Sequence, residues 1–339
     1  MPFPSTAGIS SVDEDAGSSI STVHSDVIQA HILTRLDGPT LASTASASSH
    51  LRHLCALDNL WKNICTATWP SLDDPLVRHV ISTFPNGHRS IYSDSFPSLH
   101  SLPSNNNHLD RSPPTTELIS AVDMYYQDKP IFSKIQRTHT QTNWFLSSPL
   151  WVDLLDPKEF VPTPVKYVRK DEEWLKHLED NLKLSWILID PTRKRSANLS
   201  SRRPVSVQRH WLTRELEIVY AVVMARGEIW SEMVEGRIKV TCGGKVGGEM
   251  HVRGVRLMVE DMEGKNVSGK ESLGILQRAM ENGKRKKVNG EEARTRYEKF
   301  LGMKRERRDR KQRRDKALDI ISVLVILVIF LFICWLMLF

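Results

Sequence analysis

The sequence predicts an α+β protein: a short helical bundle at the N-terminus, a β-rich C-terminal domain with a few helices, and a single C-terminal transmembrane helix. Three observations predict it. Between residues 22 and 70, apolar residues recur at helical spacing between helix-start residues. Between 117 and 283, short Val- and Ile-rich runs are separated by turn residues. The last twenty residues, IISVLVILVIFLFICWLMLF, carry no charge.

Charge is unevenly placed. The chain has 339 residues and a formal net charge of +7. The run KRERRDRKQRRDK, Lys304 to Lys316, holds nine basic and three acidic residues, a net of +6. Outside that collar the protein is near neutral, so no nucleic-acid partner is expected. Cys55, Cys65, Cys242 and Cys334 fall at unrelated spacings, with no CxxC and no Cys/His cluster that would hold zinc. Such dispersed thiols suit a reducing compartment. The first residues, MPFPSTAGISSVDEDAGSS, lack the basic and apolar regions of a secretory signal.

In chain order, residues 1–21 are rich in Ser, Gly, Asp and Glu and read as disordered. Residues 22–70 form the helical module. Ser25 precedes an apolar-periodic run in which Ile28, Ile32 and Leu36 stack at i, i+4, i+8 beside Leu33. Asp37-Gly38-Pro39 ends that helix and starts the next, Pro39 fitting a first-turn position. Leu41, Ala42 and Ala45 make a narrow face. Ser48 or Ser49 caps a third turn bearing Leu51 and Leu54, and Asp58 a fourth with Leu60, Trp61, Ile64, Cys65 and Trp69. So few residues bury little surface of their own, and the module needs a neighbour or a partner.

Residues 71–97 read as a short helical extension, DDPLVRHVISTF, capped by Asp73 or Asp74. Residues 98–116 are a polar linker with paired prolines. In the β-rich domain, 117–283, LSWILI suits a buried strand, and HWLTRELEIVYAVVM, GRIKVTC and MHVRGVRLMVED read as strands. DEEWLKHLEDN and SLGILQRAMENG read as helices. The cluster Gly243-Gly244-Lys245-Val246-Gly247-Gly248 lacks the GxxxxGKS/T spacing of a phosphate loop and sits between two strand-like runs, so it reads as a hairpin turn.

Residues 284–317 form a basic, charged helical stalk, and residues 318–339 a membrane tail anchor. The anchor is marked by Ile320, Phe330 and Phe339. Sixteen of the last twenty residues are Leu, Ile, Val or Phe, which makes insertion favourable by roughly 5 kcal/mol or more; a buried core helix is the other reading. Lys304, Arg305, Arg307, Arg308, Arg310, Lys311, Arg313 and Arg314 form the juxtamembrane basic patch, able to attract anionic headgroups. The positive-inside rule then leaves the N-terminal bulk in the cytosol, the tail in the endoplasmic reticulum or another endomembrane. A nuclear location is the alternative if the tail is not inserted, with Lys284 to Lys287 as a second basic signal.

Catalytic patterns are missing. GxSxG, HExxH, GxGxxG and the kinase set do not occur, and twelve histidines are scattered. His50 and His53 have no carboxylate or thiol beside them, and Glu172-Glu173 and Glu291-Glu292 point apart on a helix. No metal, no cofactor and no enzymatic activity is expected. Trp144, Trp151, Trp174, Trp186, Trp211 and Trp230 would line a ligand groove or, as such residues more often do, fill the core.

The helical module resembles an F-box. That motif opens with Leu-Pro and an acidic residue, then has an Ile-Leu pair, a Leu, a loop with Asp, a further Leu and a later Val-Ser/Cys-x-x-Trp helix. Here stand Val23-His24-Ser25-Asp26, Ile32-Leu33-Thr34-Arg35-Leu36-Asp37, Leu41 and Ala47-Ser48-Ser49-His50-Leu51-Arg52. Val-His replaces Leu-Pro, one extra residue precedes the Ile-Leu pair, and Leu51 replaces Trp. LDNLWKNICTATWPSL, PIFSK, LSWILIDP and RRPVSVQRHWLT resemble a plant F-box subfamily over most of the chain.

The resemblance implies a substrate receptor of an SCF-type cullin-RING ubiquitin ligase. Val23, Ile28, Ile32, Leu33, Leu36, Leu41, Leu51 and Leu54 would dock a Skp-family adaptor, and through it the cullin and RING subunits. The β-rich domain would hold an unknown protein substrate, and catalysis would belong to the ubiquitin-conjugating enzyme. The alternative is a tail-anchored carbohydrate- or lipid-binding protein whose N-terminal helices serve only for packing; a hydrolase with an unrecognised site is a third.

Overall fold

A computed structural model describes residues 23–100, 114–168, 172–226, 232–285 and 290–338. The chain is α+β and divides into two compact units, Met1–Ile64 and Cys65–Phe339. The expected disorder of residues 1–21 and most of the expected linker 98–116 lie outside the described residues.

The first unit is built of short helices. Helix α1 (Ser25–Val27) continues as a π turn (Ile28–Ile32) and a 3-10 turn (Leu33–Arg35). Helices α2 (Gly38–Ala47), α3 (Ser49–Leu54) and α4 (Asp58–Thr68) follow. Side chains set the starts: Asp37 Oδ1 accepts from Thr40 N at 3.0 Å and Ser48 Oγ from Leu51 N at 3.2 Å. At α1 the cap is His24, whose Nδ1 accepts from Asp26 N at 3.3 Å. Ser25, the expected cap, has its Oγ 3.4 Å from His50 Nε2 instead.

The second unit opens with a 3-10 turn (Pro70–Asp73) and helices α5 (Pro75–Ser82), capped by Asp74, and α6 (Gly87–Ser95). A strand β1 (Leu99–His100) follows. A four-stranded antiparallel sheet, ordered β3-β2-β6-β7, comprises β2 (Glu117–Tyr126), β3 (Lys129–His139), β6 (Leu182–Asp190) and β7 (Arg195–Asn198). A six-stranded antiparallel sheet contains β4 (Trp151–Asp153), β5 (Val161–Lys166), β8 (Ser206–Arg209), β9 (Leu216–Ala225), β10 (Met233–Gly244) and β11 (Glu249–Asp261). Its order is β4-β11-β10-β9-β8, with β5 also paired to β11. Short helices α7 (Asn143–Ser147) and α8 (Glu172–Asn181) interrupt the strands. Helix α9 (Gly269–Asn282) leads to β12 (Lys284–Arg285), which pairs with β1. Helix α10 spans Gly290–Leu338.

One buried cluster takes side chains from both sheets and α9, including Met124, Trp186, Tyr220, Val240, Leu257 and Ile275. Strands β2, β6 and β9 are buried on both faces along most of their length. On β2, Asp123 accepts from Ser71 N (2.9 Å), Ser71 Oγ (2.6 Å) and Ser133 Oγ (2.7 Å), fixing the helical extension to the sheet. On β9, Val219 and Ala221 pack outward against Tyr297 and Phe300 of α10. The stretch expected to be a charged stalk therefore packs, in part, on the sheet.

Strand β9 begins at Leu216, not at His210. His210 Nδ1 accepts from Thr213 N at 3.1 Å and Arg214 has φ +62°, which closes a turn. Within the Gly243–Gly248 cluster, Gly243 and Gly244 end β10 and residues 245–248 form the β10–β11 hairpin turn, with Gly247 at φ +81° as only a glycine adopts freely.

The transmembrane expectation is corrected. Among the described residues no helix is long and apolar enough to cross a membrane. The apolar tail is no separate element but the end of α10, which also carries the charged run. Ile320 and Phe330 are exposed and Phe339 lies outside the described residues. The single-pass, tail-anchored location falls with the helix it rested on.

Candidate functional site

The N-terminal helices carry an outward apolar stripe, and its geometry comes from the π turn. Leu33 N–H bonds to Ile28 C=O, five residues back. In an α-helix residues five apart diverge by about 140°. The wider turn instead stacks Ile28 with Leu33, both fully buried, and Val27 with Ile32, both outward. Val27 is 45% and Ile32 39% exposed, and Val23, which lies before the His24 cap, is 39% exposed. Leu36, four beyond Ile32, is half-buried. The extra residue that separates this sequence from the F-box pattern lies in this region, where the π turn absorbs it.

Of the eight residues expected to dock an adaptor, Val23 and Ile32 are exposed and Leu36 is half-buried. Ile28, Leu33, Leu41, Leu51 and Leu54 are buried and shape the module from within. Val27, exposed on the same side of the π turn as Ile32, is not among the eight residues expected to dock. Trp61 donates through Nε1 to Cys55 C=O at 2.7 Å, fixing the turn between α3 and α4.

The second unit offers a different surface. Strand register places Leu216 opposite Cys242 and Gly244 opposite Met250, so the 210–215 and 245–248 turns lie at one end of the six-stranded sheet. Arg253 binds Glu215 at 2.7 Å across them. Tyr167 ties both down: its N–H donates to Gly248 C=O at 2.8 Å and its hydroxyl to Arg214 C=O at 3.2 Å. The Arg209 guanidinium lies 5.3 Å from the Tyr167 ring and 5.4 Å from that of Trp174. On this rigid end Trp211 (77% exposed), Leu212, Val246 and Phe160 project into solvent.

The tryptophans do not share one groove. Trp186 is in the core, donating to Ser120 Oγ at 3.1 Å, and Trp151 stacks under Arg256. Trp144 is exposed on α7 and Trp230 lies outside the described residues. The basic patch also divides. Lys304 is only 7% exposed, reaching Glu235 at 3.2 Å and Glu260 at 3.0 Å, and Lys311 reaches Glu263 at 2.7 Å. Arg305, Arg307, Arg308, Arg310, Arg313 and Arg314 are exposed. Among the described residues no group of His, Cys, Asp and Glu is placed to hold a metal ion. Burial pushes the Cys242 thiol up to about 12, which leaves it no thiolate at neutral pH.

The chain thus combines a small helical unit bearing exposed aliphatic side chains with a β-rich unit bearing exposed apolar turns. No profile of a known family matches the chain, and no solved structure resembles it. Three Arabidopsis thaliana proteins do. F-box protein At2g27310 is 48% identical over 312 residues, covering 87% of this chain and 89% of its own. F-box protein At3g44326 is 45% identical over 84% of this chain and 80% of its own, and probable F-box protein At2g36090 is 47% identical over 84% and 83%. The chain belongs to the F-box protein family.

Proposed function

We propose that the chain is the substrate-receptor subunit of an SCF-type cullin-RING ubiquitin ligase. Its outward stripe docks a Skp-family adaptor, which links it to the cullin and RING subunits. The observation that carries this reading is the stripe Val23, Val27 and Ile32 on the N-terminal helices of an F-box family chain. Fully burying one such aliphatic side chain stabilises a contact by about 1.5–3 kcal/mol, so three part-exposed ones and Leu36 supply a usable anchor. The chain contributes proximity, while the conjugating enzyme supplies the chemistry.

The substrate would be held at the turn end of the β-rich unit, where Trp211, Leu212, Val246 and Phe160 are exposed on braced loops. Exposed aromatic and aliphatic clusters of this kind mark interaction surfaces. The direct test is capture of a Skp-type adaptor by the full chain, compared with a Val27→Asp, Ile32→Asp variant. Capture that the variant loses supports the reading. An intact, folded chain that captures no adaptor overturns it.

A further inference from the structure

The second unit contains a cavity of about 610 Å³ that neither adaptor nor substrate docking uses. It lies where the segment after α6, the ends of β6 and β7, strand β9 and helix α10 meet. Its volume falls in the range of small-molecule sites, which are mostly apolar with a few placed polar groups. The walls follow that pattern. Trp69, Phe96, Val222, Met233, Phe300 and Met303 supply apolar surface.

The polar groups are of one sign. Lys183, Arg202, Arg296 and Lys299 line the cavity, against the single carboxylate Asp128. Asp128 is already taken: Lys183 donates to it, and that bond holds its carboxyl below the ordinary range. Lys299 forms no salt bridge with a described residue, and Arg202 makes no direct ion pair with one, although its charge also helps hold the Asp128 carboxyl down. Asn198 uses Oδ1 to accept from Trp186 N (3.2 Å) and Ser200 N (3.1 Å). Its amide nitrogen makes no hydrogen bond with a described residue. Arg202 is held in place by its backbone. Its N–H donates to Ser200 Oγ at 3.0 Å and its C=O accepts from Leu184 N at 2.9 Å, with φ at +66°, rare for a bulky residue.

We propose that this cavity binds a small anionic amphiphile, an apolar body bearing a carboxylate, sulfonate or phosphate that meets Arg202 and Lys299. A planar anion suits the guanidinium fork, and the Asn198 amide offers a neutral donor. The occupant would bridge α10 to the sheet and so stabilise the docked helix. The proposal rests on the second unit alone, so its failure leaves the adaptor reading untouched.

The test uses the full chain and two fluorescent probes of one shape: 8-anilinonaphthalene-1-sulfonate and its neutral counterpart N-phenyl-1-naphthylamine. The sulfonate probe is expected to bind saturably, with one site. An Arg202→Gln, Lys299→Gln variant should bind it at least tenfold more weakly and the neutral probe within about threefold of wild type. Both residues are exposed, so this variant is expected to fold; its melting curve checks that. Val223→Trp, which fills the cavity from β9, should lower the binding of both probes. Displacement by 2-naphthoate or by dodecanoate then tells an aromatic acid from a chain-like one. Sulfonate binding that is absent, non-saturable or unchanged in the charge variant overturns the proposal, as does full binding by a folded Val223→Trp protein.

Discussion

The ammonium of Lys304 sits inside the protein although its sequence neighbours are exposed arginines, and replacing it tests the account of α10 directly. Lys304 Nζ lies 3.2 Å from Glu235 and 3.0 Å from Glu260, while Tyr297 donates to the other oxygen of Glu235 at 2.8 Å. The Glu235 side chain has no exposure and that of Lys304 only 8%. At an effective dielectric constant near 20, each contact near 3 Å is roughly 5 kcal/mol of attraction before desolvation is charged against it. Removing one partner of a buried pair typically costs about 3–5 kcal/mol, since the remaining charge is left uncompensated. Lys304→Met keeps the aliphatic stem over Phe300 and strands two carboxylates. We expect a loss of about 3–5 kcal/mol in urea unfolding, a fall in Tm on the order of 10 °C, and faster hydrogen exchange in the docked part of α10. Adding Glu235→Gln should recover at least 1 kcal/mol relative to the sum of the single losses. Arg305→Ala, one residue on and exposed, should stay within about 0.5 kcal/mol. Equal effects of Lys304→Met and Arg305→Ala would refute the buried network and return the eight basic residues to an interchangeable patch.

Three further outcomes follow from the same coordinates. Val27→Asp with Ile32→Asp should abolish adaptor capture while leaving the melting curve nearly unchanged, whereas Leu33→Asp, at a fully buried position, should unfold the first unit by about 3 kcal/mol or more; loss of fold in the surface pair would show that the stripe is packed. Burial raises the Asp123 carboxyl above its ordinary 3.8. As pH rises from that value the unfolded chain releases its proton first, so the folded state loses stability until Asp123 itself ionises. Wild type minus Asp123→Asn stability, followed by urea titration across that window, should therefore fall as pH rises; a rising or flat difference contradicts the shift. Deleting Ala30, exposed within the π turn, should restore ordinary α-helical spacing with Ile28 and Leu33 still inward and Val27 and Ile32 still outward. Stability within about 1 kcal/mol and retained adaptor capture are expected, while a variant that unfolds would show that the π turn is required.

Much of the fold was legible where one physical cause dominates a segment. Strand β6 is buried on both faces, so LSWILI stands out as an uninterrupted run. The Gly243–Gly248 turn was legible because its glycines lack phosphate-loop spacing. The error at β9 came from Trp211 and Leu212, apolar residues that extend the strand pattern but project from a turn. The docked part of α10 carried a readable signal, Tyr297, Phe300, Leu301 and Lys304 at i, i+3, i+4 and i+7, hidden within a charged run. That Lys304 belongs to this inward face was not readable, because its partners Glu235 and Glu260 are 69 and 44 positions away. The tail misled for the opposite reason: composition alone suggested an independent spanning helix, whereas the helix it belongs to carries charge along its first half.

The outward pair Val27 and Ile32 shows why an imperfect motif can keep its face. Periodicity arguments assume 3.6 residues per turn, and on that assumption the one-residue insertion before Ile32-Leu33 rotates every later residue by about 100°. A rotation of that size would turn Ile32 inward and expose Leu33, exchanging a core residue for a surface one. Burial forbids it, since exposing Leu33 and Ile28 costs roughly 1.5–3 kcal/mol each. A single wider turn removes the mismatch locally, with Leu33 N–H reaching back five residues to Ile28 C=O. The inward pair fixes the register, and the outward pair, Val27 and Ile32, follows from it. The insertion is thus confined to five residues, and Val27 and Ile32 on either side of it keep their outward placement.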